Sequence, residues 1–183
     1  MTTPSTLATI RTALATDRAR LRDVVERVPV ASRGTRPSPE RWSVAEVLEH
    51  LALVEGRVAA LFGLLLADAP RLGDDVSGVA TDLDRTGMRD RARRIEAPEA
   101  IQPTGTVSAE AAMATLEETR QRLLALLDRI EAERVDLSKV SRPHPALGPL
   151  DGYQWIQAVG GHEERHTMQI AEIASVLGSV SAS

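Results

Sequence analysis

The chain has 183 residues, 43% of them apolar and 26% charged, the balance of a single packed domain over 1–183 and not of a disordered tail. With 22 basic against 26 acidic side chains, a net charge of -4, and only Trp42, Phe62, Tyr153 and Trp155 as aromatics, neither phosphate-backbone attraction nor a base-stacking platform is on offer, so nucleic acid is excluded as a partner. The absence of cysteine removes disulfide frameworks, thiolate metal sites and a cysteine nucleophile together, and any thiol chemistry has to borrow its thiol.

The N-terminus, Met1-Thr2-Thr3-Pro4-Ser5, has no basic segment leading into an apolar one. The longest apolar run, Val58 to Ala67, is about half a membrane span. A cytoplasmic setting without a membrane is the expectation. From Leu7, the positions Leu7, Ile10, Leu14, Leu21, Val24 and Val28 recur at helical intervals up to Pro29 and predict helix one near 5–28, with Ser5 or Thr6 as cap. Helix two, near 43–68, opens on Trp42-Ser43-Val44-Ala45-Glu46-Val47. Ser43 and Glu46 form a capping box there, and Trp42 staples onto Val47. Its stripe continues through Leu51, Val54, Val58, Leu61 and Leu65.

A long link, roughly 69–107, carries Gly73, Gly78, Gly87, Pro98 and Pro103-Thr104-Gly105 and can cross the length of a bundle. Its Arg89 to Arg94 stretch, interrupted by Asp90 and preceded by Asp82 and Asp84, reads as a solvated face. Helix three, near 108–134, places Met113, Leu116, Leu123, Leu127 and Ile130 on one side. Helix four, near 151–177, repeats the start signals with Asp151, Gln154 and the Leu150–Trp155 pair, and Gly178 is its candidate C-cap. No segment shows strand alternation. The fold class is therefore all-α, a four-helix bundle with a long crossover between helices two and three that allows a parallel helix pair.

Three of the four histidines fall on inward stripes. His162 and His166 sit between Trp155, Val159, Ile170, Ile173 and Leu177, four residues apart and so on one face, about 6 Å apart along the axis. His50 lies between Val47 and Val54 on helix two. A lone inward histidine is more often a hydrogen-bonded core residue than a ligand. Three in one core leave several ring nitrogens to satisfy, at roughly 1 to 3 kcal/mol for each one left unmet, and coordination of a shared ion satisfies them together. His50, His162 and His166 are the candidate metal ligands.

His162-Glu163-Glu164-Arg165-His166 also fits the His-Glu-x-x-His pattern of zinc proteases, in which the glutamate activates water. Gln169 and Glu172 stand where the extended form wants Gly and a third His, and the chain runs only 17 residues past His166, which argues against that reading. Glu163, about 100° around from His162, reads as a solvated residue. His144, between Pro143 and Pro145, reads as a structural or pocket-rim residue.

Four stretches taken together, Trp42 to Leu51 ending in Glu49-His50-Leu51, Pro103-Thr104-Gly105, His144-Pro145-Ala146-Leu147-Gly148-Pro149-Leu150, and His162 to Ile170, resemble the DinB-like/YfiT-like superfamily. The resemblance runs from the first helix to Gly178. It implies a four-helix bundle that commonly binds a divalent metal through three histidines, here His50, His162 and His166, and that often forms a homodimer. It also implies a metal-activated reaction of a low-molecular-weight thiol, since characterised relatives include bacillithiol S-transferases and mycothiol-using isomerases. Imidazole-only ligation suits Zn, Ni, Fe or Cu, of which Zn or Ni is the expectation here. Two functions stay open: a transferase (or hydrolase) activating a thiol or water against a small-molecule substrate, and a non-enzymatic metal- or ligand-binding stress-response protein.

Overall fold

The capping residues read from the sequence sit where the helices begin. In a computed structural model that describes residues 7–67, 69–73, 82–92 and 96–180, Ser43 accepts from the Glu46 amide while Glu46 reaches back to the Ser43 amide, and helix α2 (Val44–Leu65) follows. Ser108 accepts from the Ala111 amide and opens α4 (Ala109–Ala132). Asp151 and Gln154 exchange the same reciprocal pair of bonds, at 2.9 and 3.1 Å, in front of α5 (Gly152–Val180). These boxes satisfy amides that a helix start otherwise leaves open. The first helix, α1, spans Leu7–Glu26. It stops short of Val28 because the residue before Pro29 is pushed out of the helical region. Its expected caps, Ser5 and Thr6, and the expected end of helix two at Asp68 lie outside the described residues.

Two features differ from the sequence reading. Gly178 does not cap α5, which runs through it to Val180, and its φ is not positive. The segment before α5 is a hairpin, β1 (Ser141–His144) paired antiparallel with β2 (Gly148–Asp151). Its prolines hid it. Pro143 and Pro149 face each other in register, at a pair where neither has to donate, and Gly148 turns with φ of 77°. Within the crossover, a single helical turn α3 (Thr86–Arg89) and a 3-10 turn (Glu99–Ile101) pack onto α5 and α2 respectively.

A small apolar cluster joins Met88 of α3, Leu150 of β2 and Ala158 of α5, and the main core is two larger ones stacked along the bundle. One contains Ile10 and Leu14 of α1, Val58 and Phe62 of α2, Leu123 and Leu127 of α4, and Ile156 and Val159 of α5. The other contains Leu21, Val25, Val47, Leu51, Ala112, Leu116, Ile170 and Ile173. Reading each helix from one cluster to the other fixes its direction: α1 and α5 run one way, α2 and α4 the other. The crossover therefore joins a parallel pair, as its length allows.

Between the clusters lies a layer with one charged residue from each long helix. Arg18, Glu55, Arg120 and Glu163 are 4%, 3%, 5% and 1% exposed. Arg18 donates to Glu163 at 2.8 Å and to Glu55 at 2.9 Å, and Arg120 donates to the same two carboxylates at 2.8 and 2.5 Å. Remaining guanidinium protons go to the Leu116 and Leu14 carbonyls. The four charges sum to zero and each meets two of opposite sign within the layer, while Arg18 also reaches Glu117 at 3.2 Å.

Candidate metal centre

One turn from that layer, α2 and α5 bring His50, His162 and His166 together. The capping box fixes where α2 starts and so which face it turns inward, and His50 lies one turn after Glu46. On α5 the four-residue spacing puts His162 and His166 on the facing side. His50 and His166 are 3% and 7% exposed, and His162 is partly exposed, on the open side of the cluster. Trp42, the staple residue of α2, walls the site with its ring centroid 4.9 Å from that of His50 and 6.4 Å from that of His166.

The ring nitrogens are arranged in a specific way. His50 donates from Nδ1 to the Ile101 carbonyl at 2.7 Å, and His166 donates from Nδ1 to Gln169 Oε1 at 2.8 Å. With the proton on Nδ1, each Nε2 carries a lone pair. Those lone pairs point at each other's neighbour: His162 Nε2 is 3.2 Å from His50 Nε2 and 3.1 Å from His166 Nε2. A proton on His162 Nε2 serves one of these acceptors at a time, whereas a cation serves all three nitrogens. The separations are of the size required when imidazole nitrogens share one ion at about 2.0–2.1 Å. The donor set therefore fits a divalent metal, and the carbonyl and amide behind two of the ligands are the outer partners that such ligands need.

Electrostatics favour the same state. Burial lowers the pKa of all three rings. His162 is brought down to about 3, with the charges of His50, His144 and Arg165 adding to burial. His166 falls well below the usual histidine range through burial and then its two partners, and His50 falls through burial against the opposing pull of its Ile101 bond. All three are neutral at pH 7 and ready to ligate.

Of the residues singled out from sequence, the structure brings His50, His162 and His166 together and leaves His144 out of the set. His144 sits on β1, its Nδ1 accepts from the Ala146 amide at 3.2 Å, and its ring lies 4.8 Å from Trp155. Glu163 corrects the sequence reading. It is not solvated but belongs to the central charge layer, because a step of about 100° from the site-facing His162 carries it into the middle of the bundle. Of the crossover arginines, Arg91 departs from the solvated face that the sequence suggests. Arg89 is exposed as expected and pairs with Glu164 at 3.1 Å, whereas Arg91 is half-buried against Glu172 at 2.9 Å, and Arg93 and Arg94 of the same stretch lie outside the described residues.

Sequence reasoning missed Ile101, whose contribution is a backbone carbonyl and leaves no side-chain signal. It also missed Gln169, which the three-residue spacing from His166 does signal. The charge layer had a signal too. In helices one and three the apolar stripe skips a turn, from Leu14 to Leu21 and from Leu116 to Leu123, and an arginine, Arg18 or Arg120, stands four residues after the leucine that opens each gap.

The chain matches the model of a family described as the DinB superfamily over residues 13–170. It is 30% identical over 139 residues to a Bacillus subtilis (strain 168) protein described as "Uncharacterized protein YuaE", covering 75% of this chain and 80% of that one. A solved structure described as "TT2238, a four-helix bundle protein" aligns with a TM-score of 0.57 over 91% of this chain and 99% of that chain at 18% identity, a likeness of fold.

Proposed function

The chain belongs to the DinB superfamily, and from that premise we propose that it holds one divalent ion, Zn or Ni, on His50, His162 and His166 and activates a low-molecular-weight thiol, or water, against a small electrophilic substrate. The observation that carries this reading is the convergence of three Nε2 atoms within 3.2 Å of their neighbours, two of them stripped of protons by the bonds made at Nδ1. Three neutral imidazoles leave such an ion its full charge and an open position, which supplies Lewis-acid activation of an anionic thiolate or bound water.

The chain's own residues divide the remaining work. Trp42 and the Ile101 turn cover His50 and exclude water from the inner side of the cluster, while partly exposed His162 marks the side from which a ligand enters. The chain has no cysteine, so the thiol arrives as a co-substrate. Glu163 does not serve as a general base, because both its oxygens are bonded to buried arginines. That favours an incoming thiolate, which needs no protein base once ionised, over hydrolysis of the His-Glu-x-x-His type.

The same engagement of Glu163 also favours the second reading, a metal- or ligand-binding protein without turnover. Assays of metal-loaded protein with bacillithiol, mycothiol and glutathione against a chlorinated aromatic separate the two. The transferase reading expects a rate above free metal that is abolished in His50→Ala. Rates equal to free metal with every thiol, and unaffected by His50→Ala, leave the binding protein.

A further inference from the structure

Gln169 is an amide, and an amide has two faces. If its oxygen meets His166 Nδ1, the ring must donate there and Nε2 is free to ligate. If its nitrogen does, the ring must accept at Nδ1 and carry its proton on Nε2, which blocks ligation. Nothing on α5 alone decides between these. Arg91, from the crossover, does.

Arg91 binds Glu172 through two parallel contacts, Nε to Oε1 and Nη2 to Oε2, both at 2.9 Å, and Arg41 donates to the same carboxylate at 3.1 Å. This fork-on-fork pairing fixes the plane of the guanidinium. Its remaining nitrogen, Nη1, stands 3.4 Å from Gln169 Oε1, the atom that accepts from His166 at 2.8 Å. A guanidinium can only donate, so the amide atom between Arg91 and His166 has to be the oxygen. We propose that Arg91 is a positioning residue for the metal centre: by pinning the Gln169 amide it selects the tautomer of His166 that can ligate, and it thereby couples the crossover to the third ligand.

The tautomer part stands on the chain alone, whereas the affinity part rests on the metal reading above. Imidazole 15N spectra of the metal-free protein test the first. The account expects His166 with its proton on Nδ1 in the native chain, a mixture of tautomers in Arg91→Ala, and the native state restored in Arg91→Ala with Gln169→Glu, because a carboxylate accepts whichever way it turns. Zinc and nickel titrations test the second. Arg91→Ala should weaken binding about fivefold, the lower end of coupling between sites. In the Gln169→Glu background the same change should cost less than about twofold. A general structural role for Arg91 predicts equal losses in both backgrounds, and that result, or an unchanged tautomer in Arg91→Ala, overturns the proposal. A native chain that takes up neither ion overturns the metal reading, while the spectra still decide the role of Arg91.

Discussion

Two of the polar groups buried among the described residues, the central charge layer and the histidine cluster, solve the problem of burial in opposite ways. The charge layer of Arg18, Glu55, Arg120 and Glu163 draws unlike charges from four helices and pairs them with one another, with Glu117 as a further partner of Arg18. The histidine cluster draws like groups from two helices and turns their Nε2 atoms toward one another. A buried set that satisfies itself explains itself as architecture. A buried set of imidazoles with two ring acceptors has at most one proton, on His162 Nε2, to share between them, and that difference sets the two groups apart although both are rare polar residues on apolar stripes.

The comparison breaks most visibly at the charge layer. Glu55→Ala leaves two buried guanidinium groups short of a partner and should cost about 3–5 kcal/mol of folding stability, read as a shift in urea midpoint. In metal-free protein, His162→Ala should cost less, since only neutral rings lose a partner and His50 and His166 keep their bonds to Ile101 and Gln169. Equal losses at the two positions would erase the distinction.

Metal should act on one region and not on the other. Free metal at a hundred times its dissociation constant should stabilise the native chain by about 2.7 kcal/mol, and chelation should reverse this. The double variant His162→Ala, His166→Ala should gain nothing from metal. Thermal unfolding with and without added zinc checks both.

Acid sharpens the contrast further. The folded-state pKa values of His50, His162 and His166 lie below the usual 6.5, so the unfolded chain takes up protons first as pH falls. Their contribution is therefore complete above pH 6.5 and is lost as pH drops through 6.5 toward about 3, the value at His162. Metal-free stability should decline over that window in the native chain and decline less in the double variant. A smaller effect again is expected at His144. Its contacts are with the hairpin and Trp155, so His144→Ala should lower stability by about 0.5–1 kcal/mol and leave metal content unchanged, as measured by denaturation and elemental analysis.

The bundle was legible because its signals are local. Capping boxes at Ser43 and Asp151 and stripes such as Leu116, Leu123 and Leu127 depend on spacing along one helix, which folding preserves. The three inward histidines were legible for the same reason. What stayed hidden depends on contacts between segments distant in sequence. Glu163 looks solvated until α1 and α4 bring Arg18 and Arg120 to it, and the Ile101 carbonyl has no residue-type signature. Arg91 reads as one more charge on a crossover until it meets Glu172 and Gln169. The hairpin was lost to its two prolines, which argue against a strand unless they face each other.

The most direct test of the central claim is elemental analysis of protein purified without a His tag or chelator, comparing the native chain with the double variant His162→Ala, His166→Ala. The account predicts one divalent ion per native chain and none in the folded variant. An empty native chain, or metal content that survives loss of both histidines, would contradict it.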